Sequence, residues 1–296
     1  MYIFWLVLVS VVWGTTFFIV KDTVSSVNEY FLVFVRSFLA FVFIFVYQLY
    51  KSKKQLLNKR AFFNGSILGV LLATAYSSQT IGLKYTSTGH SAFITSSAVI
   101  IVPFILFFFY KTKILRIDWI AVLMVVAGLF LLTYDIETSI NIGDIITITT
   151  AVAGAIHLVL AGRFISKSEA LPLVTYQFLG ASVVSLLAWV ITGASPVVIS
   201  LKSGLSLLYL GVIGTLFCYF IAVWVQKYVS SLKVAIIFSL EPVFAAIIGY
   251  FLLHEILNLK EFTGTLLILA GVIFHSVARN YLDRNSKLNE QELNVQ

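Results

Sequence analysis

Charge is what this sequence lacks most. Of its 296 residues 11% are Asp, Glu, Lys or Arg, and 60% are hydrophobic. Soluble domains carry about 25% charged residues, and a water-soluble fold of this length has no way to cover so much apolar surface with so few charges. The mean hydropathy is +1.00, so lipid is expected to be the main solvent. Cysteine is nearly absent as well. Cys218 stands alone inside an apolar run, which excludes an intrachain disulfide, leaves the redox compartment open and suits a small packing residue. Acidic residues are outnumbered 13 to 20, giving a net charge of +7. That excess forms no patch for nucleic acid, because the basic residues sit singly or in short loops between apolar runs. Catalytic patterns are missing too. There is no Walker motif, His254-Glu255 is followed by Asn258 rather than the His of a zincin helix, Gly89-His90-Ser91 lacks the closing Gly of a nucleophile elbow, and no metal-ligand cluster occurs. No enzyme, metal or cofactor is expected.

What the sequence has instead is ten apolar runs, each near the roughly 20 residues that cross the hydrocarbon. They are Tyr2–Val20, Tyr30–Tyr50, Phe62–Leu83, Thr88–Tyr110, Asp118–Tyr134, Gly143–Ile165, Leu171–Thr192, Gly204–Gln226, Lys233–Leu253 and Glu261–Tyr281. Spanning strands are excluded, since an open sheet leaves backbone groups unsatisfied in lipid and the runs do not alternate as barrel strands do. The first run has no charged leader and no A-x-A site, so it is expected to be a helix and not a cleaved signal. With the N-terminus inside, fifteen of the 20 Lys and Arg fall in inner loops and four in outer ones, and Arg36 lies within the second run. Both termini are therefore expected in the cytoplasm. The polar tail 282–296 is expected to be irregular and without function.

The two halves match at a shift of 143 residues: Tyr76 falls on Tyr219, Lys84-Tyr85 on Lys227-Tyr228, Ala92 on Ala235, Ser96 on Ser239, and Ala127-Gly128 on Ala270-Gly271. This is the mark of duplication. Five spans per copy, an odd number, put the copies in opposite orientation. The predicted fold is thus all-α, ten transmembrane helices in two inverted repeats, 1–135 and 143–281, with a substrate site near the midplane between them.

The residues that carry a family likeness come next. Tyr228 to His275 contains Glu241-Pro242, Phe244, Gly249 and Glu255. The first run carries Trp13-Gly14-Thr15-Thr16-Phe17, and the second run carries Arg36. Over nearly the whole chain this resembles the EamA family of the drug/metabolite transporter superfamily, departing from it at His254 and Ser37. The resemblance implies a ten-helix carrier of small metabolites, often working outward, and leaves the substrate open.

Several polar residues within the runs are candidates for chemistry. Glu241 lies eight residues past Lys233, about 12 Å along a helix, where a lone carboxylate costs a few kcal/mol. It reads either as a proton or cation coupling site or as a hydrogen-bonded carboxyl that sets a kink. Arg36 is an anion hook, or a snorkelling guanidinium paired with Glu29 or Asp22. His157 is a proton relay or substrate ligand, or a satisfied core histidine; His90 is an interface residue. Trp13, Thr16, Tyr76, Gln79, Thr95, Ser96, Gln177 and Tyr219 make a mid-membrane polar and aromatic set suited to a cavity wall or to interhelical packing. Pro103 and Pro242 are candidate hinges. Gly65 with Gly69, and Ala245 with Gly249, favour close helix contact.

Together these features describe an inner-membrane secondary transporter, monomeric or dimeric, of amino acids or related metabolites, with Glu241 as the candidate for proton coupling. An uncoupled facilitator is the near alternative. A membrane scaffold, receptor subunit or membrane enzyme is the distant one.

Overall fold

The computed structural model describes residues 1–133, 141–193, 199–253 and 258–293. These residues form helices and turns and no strand. Ten helices are long and apolar enough to cross a membrane: α1 Tyr2–Val24, α2 Glu29–Lys51, α3 Lys59–Tyr85, α4 Thr88–Tyr110, α5 Arg116–Thr133, α6 Ile142–Ile165, α7 Ala170–Ile191, α8 Leu201–Val225, α9 Ser231–Phe251 and α10 Leu259–Leu282. The helical conformation of α10 continues through Leu293, where the sequence led us to expect an irregular tail. The motif residues His254 and Glu255 lie outside the described residues.

Short polar side chains set the helix starts. Asn28 accepts hydrogen bonds from the amides of Tyr30 and Phe31, Ser87 from His90, Ser200 from Ser203 and Ser230 from Lys233. Asn141 and Asp144 complete a reciprocal capping box on α6. Each such cap satisfies amides that have no intrahelical partner, which fixes where the chain leaves the interface. Several expected runs, Phe62–Leu83 against Lys59–Tyr85 among them, were a few residues short because they were counted from apolar residues, and the caps and first turns are polar.

Three helices depart from regular α-geometry. α4 breaks at Ser97, between Thr88–Ser96 and Ala98–Tyr110. α9 breaks at Ser239 and Leu240, between Ser231–Phe238 and Glu241–Leu253. α8 contains a π-helical turn, Val212–Phe217. α4 runs through Pro103 as helix, and its interruption comes more than a turn earlier than that proline.

Packing mixes the two halves. α3 lies against α6 and α7, α2 against α7 and α8, α1 against α8 and α9, and α4 against α6 and α9. α5 packs on α10. Asp118 meets His275, with Nε2 to Oδ1 3.0 Å, and Gly128 lies against Gly264, so α5 and α10 run antiparallel. Polar ties gather at the two ends of the bundle. At one end Tyr2 stacks on Tyr228 at 4.5 Å, Arg163 sits 3.8 Å over the Tyr110 ring, and Asp118 is flanked by His275 and Arg279. At the other Lys84 pairs with Glu29 at 3.1 Å, Lys202 with Asp22 at 2.9 Å, and Asp144 meets both Thr86 and His90. Between them the outward face is apolar, with Phe43, Val46, Leu123, Leu187, Phe251 and Ile273 exposed, as a surface solvated by acyl chains requires.

Glycine makes the tightest crossings. A Cβ on Gly128 would stand 2.7 Å from the Gly264 carbonyl, and one on Gly264 2.6 Å from the Gly128 carbonyl. Gly65 and Gly69 meet the α7 backbone equally closely at Leu173 and Gln177. With no hydrophobic drive between helices in lipid, such close approach supplies the packing. We expect Gly264→Val to destabilise the protein by about 1–3 kcal/mol, seen as a lower Tm in detergent. Gly204→Ala, whose Cβ would meet only Ile199 at 3.6 Å, is expected to leave Tm unchanged or slightly raised.

Candidate functional site

A cavity of about 120 Å³ sits in the middle of the bundle, bordered by α1, α2, α3, α4, α6, α8 and α9. That is room for several waters or a small organic solute. Ten of the side chains singled out from the sequence line it: Trp13, Thr16, Arg36, Tyr76, Gln79, Thr95, Ser96, His157, Tyr219 and Glu241. Gln177 is not among the lining residues. It is fully buried behind His157, with Oε1 3.1 Å from the imidazole Nε2. Two neighbours in sequence, Tyr176 and Gln177, point apart, and Tyr176 donates to the Leu56 carbonyl at the end of the bundle.

Arg36 is the largest fully buried side chain among the described residues, 1% exposed. Its Nε donates to Thr215 Oγ1 at 2.9 Å, and its guanidinium carbon lies 3.6 Å from the centre of the Tyr76 ring. The Tyr76 hydroxyl meets the same Thr215 oxygen at 3.3 Å. Neither Glu29 nor Asp22 pairs with Arg36, since those carboxylates hold Lys84 and Lys202. Among the described residues the two terminal amino groups of the guanidinium have no hydrogen-bond acceptor and no carboxylate within pairing distance. Stacking on one aromatic face and a single hydroxyl holds the group in place while leaving its fork free. That fork matches a carboxylate or phosphate in two parallel hydrogen bonds.

The aromatic wall is a continuous set of contacts. Tyr76 and Tyr219, equivalent residues of the two halves, meet edge to face at 5.7 Å. Tyr219 also touches Trp13 at 5.1 Å and His157 at 5.4 Å, and Trp13 meets Phe238 at 4.8 Å. The Trp13 indole donates to the Gly214 carbonyl at 2.9 Å. Gly214 and Thr215 both belong to the π-helical turn of α8, so this one irregular turn positions the indole, the guanidinium and the phenol. π-Turns of this kind recur at functional sites. Gln79 donates to Thr95 Oγ1 at 3.3 Å, joining α3 to the first piece of α4.

Glu241 opens the second piece of α9 and is 8% exposed, facing the cavity. No ion pair or hydrogen bond to its carboxyl occurs among the described residues, so its reading as a kink-setting hydrogen-bonded group has no partner to rest on. Gly14 brings the α1 backbone against this point: a Cβ there would lie 3.2 Å from the Glu241 carbonyl and 3.0 Å from the Ala245 nitrogen. Pro242 adjoins the α9 break, whereas the α4 break falls at Ser97 and not at Pro103.

Sequence reasoning missed Thr215, Thr150, Gly154, Gln226, Phe238 and Ser239, all at or beside the cavity. The duplication offered a signal for Ser239, the partner of Ser96. Thr215 and Gly154 carried none, because a threonine or glycine in an apolar run looks the same whether it faces lipid, a helix or a cavity.

Comparison with known proteins places this geometry. The chain matches the EamA-like transporter family over residues 1–134 and again over 141–277. An uncharacterized transporter of Archaeoglobus fulgidus is 29% identical over 272 residues, which cover 92% of this chain and 84% of that one. The uncharacterized transporter YdfC of Bacillus subtilis is 25% identical over 69% of this chain and 67% of its own. A solved crystal structure superposes with a TM-score of 0.78 over 94% of this chain and 97% of its own at 13% identity, a likeness of fold alone.

Thr215 Oγ1 accepts from Arg36 and also meets the Tyr76 hydroxyl. Thr215→Val is expected to cost about 1–3 kcal/mol, because it strands a buried donor. Tyr76→Phe keeps the guanidinium contact and is expected to cost less. Thermal unfolding of the purified variants checks the order.

Proposed function

The chain belongs to the EamA-like transporter family, and we propose that it is a secondary transporter carrying a small anionic or zwitterionic metabolite, an amino acid or a related compound, by alternating access. It is a multi-pass membrane protein. The observation that carries the substrate class is the Arg36 guanidinium, buried and with its fork free in a cavity bordered by helices of both halves. A permanent charge in that place is costly without a ligand of opposite sign, and a carboxylate supplies one.

Several features support an alternating-access carrier of inverted repeats. Helices of the two halves are exchanged in their contacts: α3 with α6 mirrors α8 with α1, and α4 with α6 mirrors α9 with α1. The equivalent helices α5 and α10 run antiparallel. Breaks in α4 and α9 give each half a place to bend beside the cavity, with Pro242 at one of them and Ser97, in place of Pro103, at the other. The end of the bundle that holds Tyr2 and Tyr228 also gathers most of the loop Lys and Arg, which favours placing it in the cytoplasm of a cell's inner membrane. Glu241 is the residue through which a proton gradient would act.

Two experiments test the reading. Gly154 lines the cavity and a Cβ there meets nothing within 4 Å, so the side chain of Gly154→Leu starts in open space and takes up cavity volume. Vesicle flux of metabolites is expected to stop in this variant while its Tm stays near that of the parent. In Arg36→Lys, flux of carboxylate-bearing solutes is expected to show a KM raised about 10- to 100-fold, the worth of a charged bidentate hydrogen bond, and flux of an uncharged solute would not change. A proton-driven carrier loses pH-driven uptake in Glu241→Gln; a facilitator keeps it.

A further inference from the structure

The two helix breaks are themselves related by the duplication. Ser97 and Leu240 are 143 residues apart, and each separates a first helical piece from a second. α4 and α9 pack against one another. A transmembrane helix gives up backbone hydrogen bonds only where other groups take their place. In α9, Pro242 has no amide hydrogen, so the Phe238 carbonyl loses its helical donor; in α4, Pro103 does the same to the Val99 carbonyl. Phe238 and Val99 both line the cavity. The first pieces, Thr88–Ser96 and Ser231–Phe238, also end here, so each presents the partial negative charge of a helix C-terminus.

The side chains at this place are acceptors as well. Ser96 Oγ is buried without a partner, on a residue 8% exposed and lining the cavity. Its equivalent, Ser239, spends its hydrogen on the Ile236 carbonyl at 2.6 Å, which leaves the oxygen's lone pairs. Glu241, also 8% exposed, adds a carboxylate that nothing among the described residues pairs. A proton on Glu241 answers the carboxylate alone. It leaves the carbonyls and Ser96 as they are. A cation with oxygen ligands answers all of them, and a single carboxylate with neutral oxygens fits one positive charge better than the divalent ions, which gather more carboxylates or keep their own waters.

We propose that the meeting of the α4 and α9 breaks is a monovalent-cation subsite, with the Glu241 carboxylate, the Phe238 carbonyl and the Ser96 hydroxyl as oxygen donors, which takes an alkali cation or the ammonium group of a substrate. It deepens the reading of the cavity as the transport site and rests on it. The cavity then has two poles, Arg36 for an anionic group and the helix breaks for a cationic one.

Thermal unfolding of the purified full chain tests this in chloride salts of lithium, sodium, potassium, methylammonium and N-methylglucamine at equal ionic strength. Either a small alkali ion or methylammonium is expected to raise Tm by about 2–4 °C over N-methylglucamine. Which of the two does so identifies the source of the cation. The increment is expected to vanish in Glu241→Gln and to shrink in Ser96→Ala, each against its own N-methylglucamine baseline. Equal Tm in all five salts, or an increment that survives Glu241→Gln, overturns the subsite. No carboxylate solute is present in these salts, so the result is independent of Arg36. The carrier reading fails separately, if Gly154→Leu leaves flux intact.

Discussion

Hydrocarbon offers no hydrogen bonds, and every feature of this protein follows from how it meets that constraint. A chain with 60% hydrophobic residues can hide in lipid only if each backbone amide and carbonyl finds a partner within its own helix. Departures from the regular helix are therefore expensive, and among the described residues of the spans they fall at three places: Ser97, the pair Ser239 and Leu240, and the π-turn of Val212–Phe217. All three border the same cavity or hold the side chains that do. Irregular backbone and polar side chains occur together because each supplies what the other lacks. The π-turn gives Gly214 a carbonyl for the Trp13 indole and aims Thr215 at Arg36. The cavity is thus bordered by irregular backbone, a guanidinium and a carboxyl together.

The architecture was legible in the sequence, and the reasons are physical. Ten apolar runs separated by polar turns require ten spans, and the 143-residue match of Tyr76 with Tyr219 announces that the halves share a plan. Mid-run polar residues point inward because lipid rejects them, which is why ten of those named line one cavity. The reasoning failed where a residue has two ways to be satisfied. Gln177 was grouped with the cavity on depth alone, yet it takes His157 as its partner from behind. Pro103 looked like the bend of α4, but an apolar helix tolerates proline while Ser97 marks the actual break. Thr215 was invisible, since its importance comes from an arginine 179 positions away. Polar residues past Tyr281 suggested an irregular tail, and the helix instead carries on through Leu293, as a strongly charged stretch can when it simply extends an existing helix.

Polar contacts, and not packing alone, link the two halves: they join residues far apart in the chain. Arg36 belongs to the first half, its hydroxyl partner Thr215 to the second, and the ring beneath it, Tyr76, to the first again. Asp118 and Arg279 with His275 repeat the theme at one end of the bundle, and Asp22 with Lys202 at the other. The buried ties, Arg36 with Thr215 and His275 with Asp118, are worth more in their dry interior than an exposed pair such as Asp22 with Lys202.

The partnership of Arg36 with Thr215 has a further consequence for biogenesis. α2 leaves the ribosome long before α8, yet its arginine is accommodated in the finished protein by a hydroxyl of α8 and by packing of α2 on α7 and α8 rather than mainly on its neighbour α3. Until α8 is made, the second span lacks the hydroxyl that holds its guanidinium in the finished protein. The first half taken alone lacks the hydroxyl that holds its own arginine.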